Sequence, residues 1–164
     1  MALLSVQKTL TLAAAKQIAQ AAESFASANN WNVVIAIVDS GSNLLYLERM
    51  DGGLVGSVAI AQHKARTAVH FKCPTKNFET GLAGGATSLL KLDILPYEGG
   101  IPIVADGAIA GAIGVSGGTP AQDGQVAQAG ADWLARQPSG AWSTEAENRQ
   151  APAQVLPGDN LGAR

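Results

Sequence analysis

One cysteine, Cys73, occurs in the 164-residue chain. A lone thiol forms no intrachain disulfide, and a zinc site built on cysteine pairs is excluded. Aromatic residues make up 5% of the chain and charged residues 15%. The core is therefore to be built from Ala, Val, Ile and Leu rather than from rings. The hydrophobic share of 47% excludes general disorder, which needs low hydrophobicity and high net charge. The formal charge is −2, and no cluster of Lys or Arg supplies the basic face of a nucleic-acid groove. The longest apolar run in the main strand region, Val33 to Val38, is far short of the roughly 20 residues of a membrane span. The TLTLAAA stretch between Lys8 and Lys16 has a trace of a secretory segment. The helical pattern continues through Ile18 and Phe25, however, so a mature amphipathic helix and a cytoplasmic location are expected.

The 19 glycines carry no phosphate loop. No two of them are separated by one residue, so G-x-G-x-x-G cannot occur, and G-x-x-x-x-G-K-[ST] is absent. Gly114-Val-Ser116-Gly-Gly118 does match G-x-S-x-G. A nucleophile elbow needs its histidine after the serine, and both histidines, His63 and His70, precede Ser116. A structural turn is the better reading.

What is present reads as one domain over 1–137, followed by a Pro/Gly/Ala-rich tail over 138–164 that is flexible or docks on a partner. Thr11 looks like the N-cap of an Ala-rich helix to about Asn29, with Leu12, Ile18, Ala22 and Phe25 inward. The apolar run ending at Asp39 and the segment Leu44 to Met50 flank a Ser-Gly-Ser-Asn turn and predict a hairpin. Ser57 is expected to cap a helix to about His70, whose Val58, Ala61, Ala65 and Ala68 form a small-residue stripe suited to a sheet. Thr75 would cap a short helix to Glu79, and Gly81 to Ser88 reads as loop. Asp106-Gly107 between two apolar runs signals a second hairpin. Thr119-Pro-Ala-Gln122 signals a capping box for a last helix with Val126, Gly130, Trp133 and Leu134 inward. Helix, hairpin, helices, hairpin, helix favours an antiparallel α+β fold over a doubly wound sheet.

Few residues invite chemistry. His63 and His70 are seven apart on one helix, about 10.5 Å along its axis, too far to chelate one metal ion. Each reads either as a solvated or interface histidine or as a single axial ligand to haem iron. Lys64 lies at the edge of the apolar stripe, so its stem should be covered while its ammonium seeks an anion. Arg49 and Asp51 close the first hairpin nearby in sequence, so the site reads either as an ion pair locking helix to loop or as an anion or carboxylate pocket built from Arg49 and Lys64. Asp123, in the first turn of the last helix, is explained by the helix dipole.

DSGSNLLYLERMDGG, SVAIAQHKARTAVHF and YEGGIPIVADGAIAGAIGVSGGTPAQDGQVAQAG, in this order, resemble the GlcG/HbpS-like family of haem-degrading or haem-binding domains, to which the C-terminal domain of PduO-type proteins is related. The resemblance spans roughly residues 9 to 136. It implies a profilin-like fold with a five-stranded antiparallel sheet, helices on both faces and a homo-oligomer, as well as proteins encoded in catabolic operons. On the motif positions fall Arg49, Met50, Asp51, Lys64, Glu98, Gly99 and Gly100, where a small-molecule ligand is expected. A purely structural or accessory subunit, whose motif pieces serve assembly, is one reading, and two functions stand beside it. One is binding of haem or another tetrapyrrole, with His63 as an iron ligand. The other is a cofactor-independent isomerase, lyase or hydrolase acting on a small organic acid. There Arg49 and Lys64 would bind carboxylate, and Glu98 or Asp51 would be the general base.

Overall fold

Side-chain size alternates along the central strands, and that alternation sets the layers. In Val34–Asp39 (β1), Ile35 and Ile37 point to one face while Val34, Ala36 and Val38 point to the other. The same division continues in Ala108–Ser116 (β4), with Ile113 and Val115 on the first face and Ala112 on the second. A computed structural model describes residues 3–138; the tail expected over 138–164 lies, except for Pro138, outside the described residues.

Leu44–Arg49 (β2) and Gly100–Ala105 (β3) complete an antiparallel sheet in the order β2-β1-β4-β3. Helices Leu12–Ala28 (α1) and Pro120–Ala135 (α4) cover the large-residue face, where Ile18, Ile35, Ile37, Ile103, Ile113, Val115 and Val126 form the main core. Helix Ser57–Phe71 (α2) covers the small-residue face through Ala61, Ala65, Ala68 and Val69. A short helix, Lys76–Ala83 (α3), and a 3₁₀ turn, Thr87–Lys91, lie between α2 and β3.

The α+β class with helices on both faces is as the sequence predicts, but four strands are found among the described residues where five were implied. The N-terminal segment meets the sheet through one backbone bond, Leu10 N–H to the Ala110 carbonyl at 3.0 Å, which is too little pairing for a strand. Four local expectations also need correction. Ser57 does not cap α2; a turn closed by Ser57 N–H to the Leu54 carbonyl runs directly into the helix, whose N-cap is Gly56. Thr75 makes no cap bond either, because its hydroxyl accepts from Gly100 N–H at 2.9 Å and fixes the start of α3 to β3. Gly81 is helical; α3 runs to Ala83 with Gly84 as its C-cap, and Gly85 follows at φ +93 as a terminating glycine. Leu12 and Phe25 are exposed, because α1 approaches α4 through Ala15, Ile18, Ala19, Ala22 and Ala26 and leaves no space for a ring there. Phe25 instead packs edge-on against Trp31, 6.3 Å between centroids.

The Asp106-Gly107 hairpin and the Thr119 capping box form as expected. Asp106 and Gly107 both adopt positive φ, the requirement of a tight two-residue hairpin turn. Thr119 accepts from Gln122 N–H, and the Gln122 side chain accepts from Thr119 N–H.

Candidate functional site

Two glycines bring α2 against the sheet. A Cβ on Gly114 would collide with the Ala61 carbonyl and come within 2.5 Å of Ala65 N; one on Gly100 would meet the Lys64 backbone. Helix and strands therefore approach backbone to backbone, and Lys64 is carried inward rather than along the edge of the stripe. Its side chain is 3% exposed. The ammonium donates to Asp123 Oδ2 at 2.7 Å and to the Val115 carbonyl at 2.9 Å.

Asp123 reaches this point from the first turn of α4 and is itself 4% exposed. Its second oxygen accepts from Gly118 N–H at 2.8 Å. Burial pushes its carboxyl up from the ordinary range, against the opposing pull of the Lys64 ammonium and the Gly118 and Gly117 amides. The dipole explanation of Asp123 is thus incomplete: the residue is half of a buried ion pair. Gly99, at φ +126, closes over the pair, and a Cβ there would lie 2.9 Å from Lys64 Nζ and 2.6 Å from the Val115 carbonyl.

Outside this lid is a cleft of about 300 Å³ lined by Glu98, Gly99, Gly100, Lys76, Gly124 and Gln128 among others. Glu98 crosses it, paired with Lys76 at 3.2 Å, and its own N–H donates to Glu79 at 2.7 Å. The glycine at 124 leaves room for that carboxylate over the first turns of α4.

The motif residues therefore separate into two groups. Lys64, Glu98, Gly99 and Gly100 come together at the β3 edge of the sheet. Arg49, exposed, and Met50 and Asp51 close β2 at the opposite edge, three strand spacings or about 14 Å across the sheet. Lys64 pairs with the last helix, and no ion pair joins it to Asp51 among the described residues. Sequence reasoning named Lys64 and Asp123 separately. The one signal that could have joined them is that each is the charge nearest the buried stripe of its helix.

His63, on the outward side of α2, is half-buried, with Nε2 3.5 Å from Asp93 Oδ1. Leu95 N–H donates to Thr67 Oγ1 at 3.0 Å, which lays the 92–95 segment along α2 beside it. His70 is exposed and faces a separate groove by the first hairpin. Ser116 is a buried residue at the end of β4.

The family model described as "Haem degrading protein HbpS-like" matches residues 10–132. The chain belongs to the HbpS-like family. It is 41% identical over 130 residues to an uncharacterized 15.0 kDa protein from the dhaT-dhaS intergenic region of Citrobacter freundii, covering 76% of this chain and 91% of that one. It is 44% identical over 103 residues to Protein GlcG of Escherichia coli K12, covering 62% and 77%. Among solved structures it superposes on Klebsiella pneumoniae protein ORFY with a TM-score of 0.77 and 34% identity, covering 84% of this chain and 99% of that one. The crystal structure of a PduOC–haem complex superposes with a TM-score of 0.68 and 30% identity, covering 76% and 94%. The fold that carries the Lys64–Asp123 pair is thus similar to that of a protein solved in complex with haem.

Proposed function

We propose that this chain is a small-ligand-binding protein whose ligand is haem or another tetrapyrrole. The observation that carries the reading is the likeness to the PduOC–haem complex across most of the folded chain. The HbpS-like family description supports it.

The residues of α2 and the 92–95 segment fit such a group. His63 offers a half-buried imidazole whose Nε2 lies 3.5 Å from Asp93 Oδ1. Ile60 on α2 and Leu92 next to Asp93 are both exposed apolar side chains, suited to the face of a large flat ring. One imidazole suffices as an axial ligand. When bound, the haem would supply redox and ligand-binding iron; the chain supplies the imidazole and the apolar contact. Exposed Leu54 and Val55 just before α2 support assembly into a homo-oligomer, since apolar side chains clustered at a surface mark association.

The alternative, an enzyme using Arg49, Lys64, Glu98 and Asp51 on a small organic acid, loses support from the burial of Lys64. Its ammonium already faces a carboxylate, and Arg49 and Asp51 are at the other edge of the sheet.

Haemin titration of the apo-protein tests the proposal. Saturable growth of a Soret band, shifted by His63→Ala and unchanged by His70→Ala, is the expected result. Weak, non-saturating absorbance indifferent to both substitutions would overturn it.

A further inference from the structure

The groove beside the first hairpin belongs to neither the ion pair nor the His63 surface. It has a volume of about 470 Å³ and lies between α2 and the β1–β2 turn. Gln62, Arg66 and His70 line it from the helix. At i, i+4 and i+8 these share one face and span about 12 Å of helix axis. Ser42 and Asn43 line it from the turn, and Val38 and Leu44 form an apolar wall.

We infer that this groove binds a small carboxylic acid, with Arg66 as the carboxylate receptor. No carboxylate of the described residues lies within ion-pair distance of the Arg66 guanidinium. Asp39, the acid nearest in sequence to the turn, is already engaged: it accepts from Gly41 N–H and Asn43 N–H at 2.8 Å each and from the Asn43 side chain. The Ser42 hydroxyl is buried without a hydrogen-bond partner, on a residue held at φ +72. Gln62 spends an amide hydrogen on the Val58 carbonyl, which leaves its oxygen as an acceptor.

The same bonds select among anions. A phosphate site needs several positive charges or a nest of free backbone amides. Here the Gly41 and Asn43 amides point at Asp39, and one guanidinium is the permanent charge of the lining. A planar carboxylate matches the guanidinium fork with two parallel bonds. The remaining length of the groove, with Val38 and Leu44 on one side and Ser42 and Gln62 on the other, suits a short carbon skeleton with a polar substituent. This inference stands apart from the tetrapyrrole reading and uses neither His63 nor the 300 Å³ cleft.

Calorimetric titration with succinate, 3-hydroxybutyrate and inorganic phosphate tests it, with amide chemical shifts of Gly41 and Ser42 as a site-specific readout. At least one of the two acids is expected to bind saturably and move those shifts. Arg66→Gln should weaken it about tenfold or more, with partial recovery in Arg66→Lys. His70→Gln, at the exposed end of the groove, should weaken it less and serves as the test should Arg66→Gln fold poorly. Tighter binding of phosphate than of either acid, equal affinity in Arg66→Gln, or no saturable response at millimolar acid would each overturn the assignment.

Discussion

Lys64 of α2 and Asp123 of α4 meet 2.7 Å apart in the interior, 59 residues apart in the chain. They come from helices on opposite faces of the sheet, so the pair stitches the two layers together past the end of β4, where the Val115 carbonyl takes a further ammonium proton. Removing one partner leaves the other charge buried and uncompensated. Lys64→Met and Asp123→Leu are each expected to destabilise by about 3–5 kcal/mol, whereas the joint apolar variant Lys64→Met/Asp123→Leu should recover much of the loss. Equilibrium urea unfolding of the two single variants and the double variant gives the coupling. Single-variant losses below about 1 kcal/mol, the range of solvent-screened pairs, would show the ammonium to be hydrated instead.

Gly114 and Gly107 provide a second contrast. A Cβ on Gly114 would strike backbone of α2 on both sides, at Ala61 and Ala65, where nothing can swing away. Gly107 has φ +75 with open space around it. Gly114→Ala should therefore cost about 3 kcal/mol or more through overpacking. Gly107→Ala should cost only the roughly 1–2 kcal/mol of a left-handed backbone. Thermal unfolding of the two variants side by side checks the order, and a reversed order would mean that α2 can slide away from β4.

The features that sequence reading located are those written in neighbouring residues. Asp106-Gly107 declares its turn, and Thr119 with Gln122 declares the start of α4, because each signal is completed within four positions. Thr75 illustrates the opposite case. Its type and place suit an N-cap, yet its hydroxyl bonds Gly100, 25 residues away, and no local pattern reveals a partner at that distance. The same holds for Phe25, whose inward position on a helical wheel was taken over by the alanines that α4 presses against. Arg49 and Lys64 looked adjacent because one hairpin precedes one helix, but the strand order puts β1 and β4 between β2 and β3. The grouping of Glu98, Gly99 and Gly100 was legible, since all three are consecutive.

The capping box allows a further check. The Thr119 hydroxyl satisfies Gln122 N–H, and Gln122 returns the bond. Thr119→Ala should cost about 1 kcal/mol and lower the midpoint of thermal unfolding by several degrees. Thr119→Ser should retain most of the stability. Because Asp123 adjoins this turn, a loss in Thr119→Ala well above 2 kcal/mol would show that the cap also holds the Lys64 ion pair in place.

Tyr46 and Glu48 supply the pH-dependent prediction. Two positions apart on β2, they point to the same face, and the Tyr46 hydroxyl donates to Glu48 Oε2 at 2.9 Å while Oε1 is buried without a partner. Burial pushes the Glu48 carboxyl up, and the tyrosine bond pulls it back. The Tyr46 hydroxyl is pushed up in turn, chiefly by donating to that carboxylate and by its charge. For an acid raised on folding, the unfolded chain ionises first, so stability falls as pH rises from the ordinary value through the folded one. Glu48 therefore weakens the fold above the ordinary glutamate range and is without effect below it. Tyr46 removes stability only on the alkaline side of its ordinary value of 10.0. In a Tyr97→Phe background, Tyr46 is the one remaining tyrosine, and its ionisation can be followed by ultraviolet absorbance. Adding Glu48→Gln should move that midpoint down toward the ordinary value, because the charged acceptor is gone. Tyr46→Phe should raise the Glu48 midpoint, read by carbon-13 NMR of the carboxyl. An unmoved tyrosinate midpoint in the Glu48→Gln protein would mean that the two side chains do not share the proton in solution.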